Sequence, residues 1–206
     1  MDLITIGNDL KAYDVRDLYP DREPGFSKRE PTKVKKIIIH HDAGSTLPEK
    51  VRQELELRRI GVSYRHHVSA QGWPGISYHL YVFPSGRVYY TGDWATVRYH
   101  TGGLDDPATP ERVSRHNEQG LAIVLAGNFD RLPPTPKHLE ALRHTVANVQ
   151  FLFSSFLPVS GHQDEADAPQ FATSCPGATW KQWKETVTVR PDSQKTETRS
   201  KKPDHL

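Results

Sequence analysis

The sequence predicts an α/β fold: a single domain with a mixed central β-sheet flanked by helices. Three observations carry that expectation. Two runs rich in β-branched residues, VKKIIIH at 34–40 and LAIVLA at 121–126, suit strands covered on both faces. Two further runs, ISYHLYVF at 76–83 and RVYYT at 87–91, flank Pro84-Ser85-Gly86, which has the chemistry of a hairpin turn and makes them an antiparallel pair. After Thr135-Pro136, the residues Leu139, Leu142, Val146, Val149, Phe153 and Phe156 recur at spacings of three and four, the apolar stripe of a helix.

Taken in order, residues 1–33 are rich in charge and contain Pro20, Pro24 and Pro31, so they read as an irregular N-terminal arm packed on the domain. The domain proper then spans 34–189. Its first strand delivers His40 and His41 to its C-terminal end. Pro48 starts a helix with Val51 and Leu55 on one side and an Arg-rich face on the other, reaching about Ile60 before Gly61. In the strand at 76–83, period-two alternation puts Tyr78, Leu80 and Val82 on one face and Ser77, His79 and Tyr81 on the other, so Tyr78 and His79 cannot share a cleft. Residues 93–119 form a long polar segment with Gly102-Gly103, Pro107 and Pro110, the character of a binding loop. Thr135 offers an N-cap for the amphipathic helix, which Pro158 ends. Val159 to Gly161 reads as a short strand and 177–187, with Trp180 and Trp183, as a closing helix. The tail from 190 to 206 has almost no apolar residues and is expected to be disordered.

Composition narrows the function classes. Hydrophobic residues are 35% and charged residues 25% of 206, enough apolar material for one core. The net charge of +2 carries no clustered basic stripe, which argues against nucleic acid as the partner. The first fifteen residues lack a basic n-region and are interrupted by Gly7, Asn8 and Asp9, so they do not read as a signal peptide; no run approaches a membrane span. A soluble, monomeric, cytoplasmic chain without membrane contact is expected. One Cys, Cys175, cannot form an internal disulfide and is a free thiol or a ligand. Eleven His residues offer both metal binding and proton transfer near neutral pH.

His40 at a strand end, His162 after Gly161 and Cys175 before Pro176-Gly177 are candidate ligands of one metal. Two imidazoles and a thiolate suit zinc, and three protein ligands leave a fourth tetrahedral position open. The intervals of 122 and 13 residues form no zinc signature, so spacing leaves a metal site and inert buried side chains both open.

The wording around these residues resembles the type 2 N-acetylmuramoyl-L-alanine amidases, the family that includes phage endolysins and peptidoglycan recognition proteins. The resemblance runs over roughly 34–187. It is carried by IIIHH at 37–41, GWPGISYHLYVFPSGRVYYTGDW at 72–94, HTGG at 100–103, HNEQGLAIVLAGNF at 116–129, TPKHLEAL at 135–142, GH at 161–162 and SCPG at 174–177. It implies a zinc-dependent hydrolase acting on the amide between N-acetylmuramic acid and L-alanine of peptidoglycan, with Zn2+ on His40, His162 and Cys175. It also implies Tyr78 as the catalytic tyrosine and Thr173, two residues before the cysteine, as a partner of the reacting oxygen. His100 is implied near substrate, and Arg115 and Asn117 lie where members read the stem peptide, although the usual discriminating pair is absent. The interval from His162 to Cys175 is longer than in phage and animal members, which leaves Asp164 and Asp167 as alternative ligands; thiolate chemistry and the SCPG match favour Cys175. His66, His67, His116, His138 and His144 read as structural or surface residues. With no export signal visible, the resemblance implies a phage-type, bacteriolytic endolysin held in the cytoplasm until lysis. A non-catalytic peptidoglycan-binding module and a zinc peptidase of the stem peptide are the competing readings.

Overall fold

The protein is described from a computed structural model covering residues 1–105 and 113–188; the expected disordered tail and the prolines at 107 and 110 lie outside them. The strands are β1 (Asp2–Ile6), β2 (Leu10–Asp14), β3 (Lys36–His41), β4 (Leu80–Val82), β5 (Val88–Tyr90), β6 (Gly120–Leu125) and β7 (Val159–Gly161). They form one mixed sheet in the order β1-β2-β5-β4-β6-β3-β7, as the alternation of strand and helix signals predicts. The β-branched runs take its interior: β3 pairs parallel with β6 on one side and with β7 on the other, His40 lying level with Val124.

Among the described residues, four α-helices accompany the sheet: α1 (Gln53–Arg65), α2 (Arg115–Gln119), α3 (Pro136–Leu152) and α4 (Trp180–Val187). Alternation along the strands makes two cores. Ile37, Ile39, Leu121, Ile123 and Leu125 pack with Leu142, Val146 and Val149 of α3 and Trp180 and Trp183 of α4. On the opposite face Val124, Tyr81 and Phe83 pack with Ile60 of α1 and Ile76. The same alternation turns His40 to the α1 face, while His41 lies against Phe129, whose backbone N–H donates to His41 Nδ1 at 3.3 Å.

Four local expectations are corrected. The arm is not irregular throughout: β1 and β2 form an antiparallel hairpin, and β2 joins the sheet beside β5. Gly7, at φ +63°, with Asn8 and Asp9 makes its turn, and the N–H groups of Asn8, Asp9 and Leu10 all donate to Asn148 Oδ1 of α3. α1 starts at Gln53 and runs through Gly61, continuing as a π-helical stretch His66–Ala70, because Ile60 and Tyr64 pack on both sides of that glycine. Packing outweighs the roughly 1 kcal/mol helix cost of a glycine. α3 is capped by Thr135, whose side chain accepts from His138 N–H, but stops at Leu152, before Ser154 adopts φ +47°. Tyr78 precedes β4, so the strand alternation does not reach it and it packs with Tyr81 rather than with Leu80.

Candidate metal centre and cleft

A cleft of about 630 Å³ opens at the C-terminal end of β3, between α1 and the segments at 71–78, 99–100 and 173–175. Its floor holds His40, His162 and Cys175, whose donor atoms all lie within 4.8 Å of one another. His40 lies next to the end of the interior strand β3 and is 1% exposed; His162 follows β7, the neighbour of β3; Cys175 comes from the loop before α4. Parallel pairing of β3 with β7 therefore brings the first two together across 122 residues.

The donor set fits zinc. With about 2.0 Å to nitrogen and 2.3 Å to sulfur, a tetrahedral site has an N···S edge of about 3.5 Å. His40 Nδ1 and Cys175 Sγ are 3.6 Å apart, and the His40 and His162 ring centroids 4.8 Å. Burial holds both imidazoles neutral, His40 well below the ordinary histidine value and His162 at about 4. Burial likewise pushes the Cys175 thiol up to about 12, although the His41 N–H, 3.4 Å from Sγ, works the other way. Without a cation that one hydrogen bond does not offset burial and the thiol keeps its proton; a bound divalent ion reverses that preference.

The alternative carboxylate ligands are engaged elsewhere. Asp164 accepts from Gly161 N–H, Trp180 Nε1–H and Lys184 Nζ, at 2.8 to 3.0 Å. Asp167 meets Leu104 N–H and His116 Nε2. The long interval after His162 is thus anchored rather than ligating. Burial alone would raise the Glu165 carboxyl, but bonds from His116, Lys36 and Ser160 hold it at about 2.

Tyr78 lines the cleft with its ring 5.4 Å from His40. Burial raises its pKa, and the nearby Cys175 and Asp42 add to the shift, so the phenol stays a proton donor. His79 turns away from the cleft, so it does not share it with Tyr78, although it does not lie with Ser77 and Tyr81 as alternation would have it: its Nδ1 accepts from Ala122 N–H and its ring stacks on Trp94. Thr173 also lines the cleft; its Oγ1 accepts from Cys175 N–H at 3.2 Å and keeps its own proton to donate. His100 borders the floor, Nδ1 3.1 Å from His40 Nε2. Arg115 is exposed and does not line the cleft, and Asn117 is buried against residues 100 and 101.

Sequence reasoning missed one wall. Arg59, Val62, Ser63, His66 and His67 line the cleft from α1 and its π-helical extension, a mostly polar stripe at helical spacing. That spacing was the available signal, but only docking on the sheet shows which face it serves. Arg59 grips Asp42 with Nε and Nη2 at 2.6 and 2.7 Å, and the Tyr81 hydroxyl donates to the same carboxylate. Trp73 and Tyr99 add aromatic surface opposite.

Comparison with known proteins agrees with this geometry. The family described as N-acetylmuramoyl-L-alanine amidase matches residues 30–178. Peptidoglycan recognition protein 3 of Mus musculus is 29% identical over 134 residues, 64% of this chain and 34% of that relative; the chain thus spans about a third of its length. Among solved structures, peptidoglycan recognition protein LE in complex with tracheal cytotoxin, a monomeric diaminopimelic acid-type peptidoglycan, superposes with a TM-score of 0.64 at 24% identity. The match covers 81% of this chain and 87% of that one. The N-acetylmuramoyl-L-alanine amidase LysC of Clostridium intestinale superposes with a TM-score of 0.57 at 20% identity, over 88% and 99%.

Proposed function

The chain belongs to the N-acetylmuramoyl-L-alanine amidase family, and from that membership we propose that it hydrolyses the amide between N-acetylmuramic acid and L-alanine of peptidoglycan as a zinc enzyme. The observation that carries the reading is the convergence of His40, His162 and Cys175 on the cleft floor, with a free side of the cluster facing the cleft. Zinc held there supplies a Lewis acid for the amide carbonyl and a water of lowered pKa.

The chain's own groups do the rest. Two neutral imidazoles and one thiolate give the site a single negative charge, which would only partly neutralise a divalent ion held there. Tyr78, held protonated by burial, donates a hydrogen bond where negative charge develops on the attacked oxygen. Thr173, whose oxygen is oriented by Cys175 N–H and which lines the same cleft, donates a second, neutral bond. Trp73 and Tyr99 offer flat apolar faces to sugar or peptide along the cleft. Muropeptide as partner is supported by the relative that is solved with tracheal cytotoxin.

The test is digestion of purified peptidoglycan, with a chelator-treated control, followed by identification of the new termini. New N-terminal L-alanine that disappears on chelation supports the zinc amidase. A different amino terminus makes the protein a peptidase, and binding without release makes it a recognition module.

A further inference from the structure

His40 has two ring nitrogens with different neighbours. Nδ1 faces the other candidate ligands, 3.6 Å from Cys175 Sγ, and Nε2 faces His100 Nδ1 at 3.1 Å. A neutral imidazole carries one proton. If Nδ1 offers its lone pair to a cation, the proton sits on Nε2 and His100 Nδ1 must accept it. The two rings meet edge to face, at 83° and 5.0 Å between centroids, compatible with an N–H of one ring meeting a nitrogen lone pair of the other. The second nitrogen of His100 then carries its proton on the side of Gly120; it is buried and, among the described residues, has no hydrogen-bond partner within normal geometry.

His100 is also held more firmly than a substrate-contacting loop residue needs to be. The N–H groups of His100 and Thr101 both donate to Asn117 Oδ1 at 2.9 Å, the Thr101 hydroxyl joins them at 3.1 Å, and Asn117 Nδ2 donates back to Thr101 O at 3.1 Å. Asn117 is itself seated in the turn of α2 that Ser114 caps. Beneath it the buried Arg29 guanidinium donates to the carbonyls of Asn117, Glu118 and Gly120. A Cβ at Gly120 would come within 2.8 Å of Ile38 Cδ1 and 3.1 Å of His100 Cε1, so the glycine makes room for the ring. The strings at 100–101 and 116–120 are thus one cradle.

We propose that His100, seated by Asn117, is a positioning residue that accepts the Nε2–H of His40 and so presents Nδ1 of the first ligand to the metal. This rests on the zinc site of the proposed function and assigns His100 and Asn117 to the ligand rather than to substrate. Outer partners of metal-bound histidines are worth about 10 to 100-fold in metal affinity.

The experiment compares the full chain with His100→Leu, His100→Asn and Asn117→Ala, reading zinc affinity by competition with a chromophoric chelator and the ligand-field spectrum of the cobalt-substituted protein. His100→Leu should bind zinc about 10 to 100-fold more weakly with an altered cobalt spectrum. His100→Asn, which keeps an amide group near the position of Nδ1, should recover most of both, and Asn117→Ala should fall between. Folded His100→Leu with unchanged affinity and spectrum overturns the proposal, as does a change confined to the KM for peptidoglycan. Should His100→Leu not fold, nitrogen NMR of the unaltered chain decides. A coupling across the hydrogen bond, with the proton on His40 Nε2, supports the proposal; a proton on His40 Nδ1, or no coupling, refutes it. Failure of the unaltered chain to bind zinc or cobalt sinks the metal reading itself, which is a different result from equal binding by wild type and variant.

Discussion

Zinc affinity should rise tenfold per pH unit between pH 5 and pH 8, and the slope follows from burial of the ligands. Metal binding requires the Cys175 thiolate, but burial lifts the thiol from 9.0 to about 12, so the metal-free protein holds that proton throughout this range. His162, at about 4, and His40, which burial holds well below the ordinary histidine value, are already neutral and release almost nothing. One proton therefore leaves per ion bound. Each unit of pH is worth about 1.36 kcal/mol, or about 4 kcal/mol over the three units. The assay is a chelator-competition titration at several pH values, paired with calorimetry in two buffers of different ionisation enthalpy to count the proton. Three ligands with ordinary pKa values would instead give a slope approaching three near pH 5, and that result would refute the burial argument. A slope near zero would mean that Cys175 is not a ligand. Cys175→Ser should remove the dependence and weaken binding by at least about 100-fold, near 2.7 kcal/mol.

Other outcomes follow from the same contacts. Tyr78→Phe should lower kcat on peptidoglycan by about 100 to 1,000-fold with zinc affinity unchanged, since it removes one donor to a developing oxyanion; retained kcat would remove Tyr78 from the mechanism. Arg59→Ala leaves the Asp42 carboxylate, whose side chain is 4% exposed, without its cation, and should cost about 3 kcal/mol in urea unfolding. Acid should destabilise the metal-free fold through His138, which is 1% exposed and held at about 4 against 6.5 when unfolded. The native state then binds fewer protons than the unfolded chain, so stability is full above about pH 6.5 and declines toward pH 4, by up to about 3 kcal/mol from this residue. His138→Gln, keeping a donor for the Val82 carbonyl 3.0 Å away, should flatten that part of the pH profile.

Legibility followed range. Ile37 to Ile39, Leu121 to Leu125 and the Thr135-Pro136 helix start were readable because consecutive residues carry the pattern, and the observed elements lie where the pattern puts them. The β1–β2 hairpin was missed although Gly7-Asn8-Asp9 is a turn signal, because the arm's charges and prolines obscured two five-residue strands. The far end of α1 was missed because Gly61 reads as a stop, yet both its flanks are packed.

By itself, then, the sequence determined the fold class, the main elements and, through a resemblance spread over ordered motifs, the residues to watch: His40, Tyr78, His162, Thr173 and Cys175. Only the tertiary structure decided that the three donors meet, that Asp164 and Asp167 are engaged elsewhere, that α1 supplies a cleft wall and that His100, held by Asn117, lies against His40 at the cleft floor. The physical reason is that helix and strand periodicity is written in neighbouring residues. A site assembled across 122 positions depends instead on which strands pair and which helix face each sheet face buries, and that is a property of the whole packed chain.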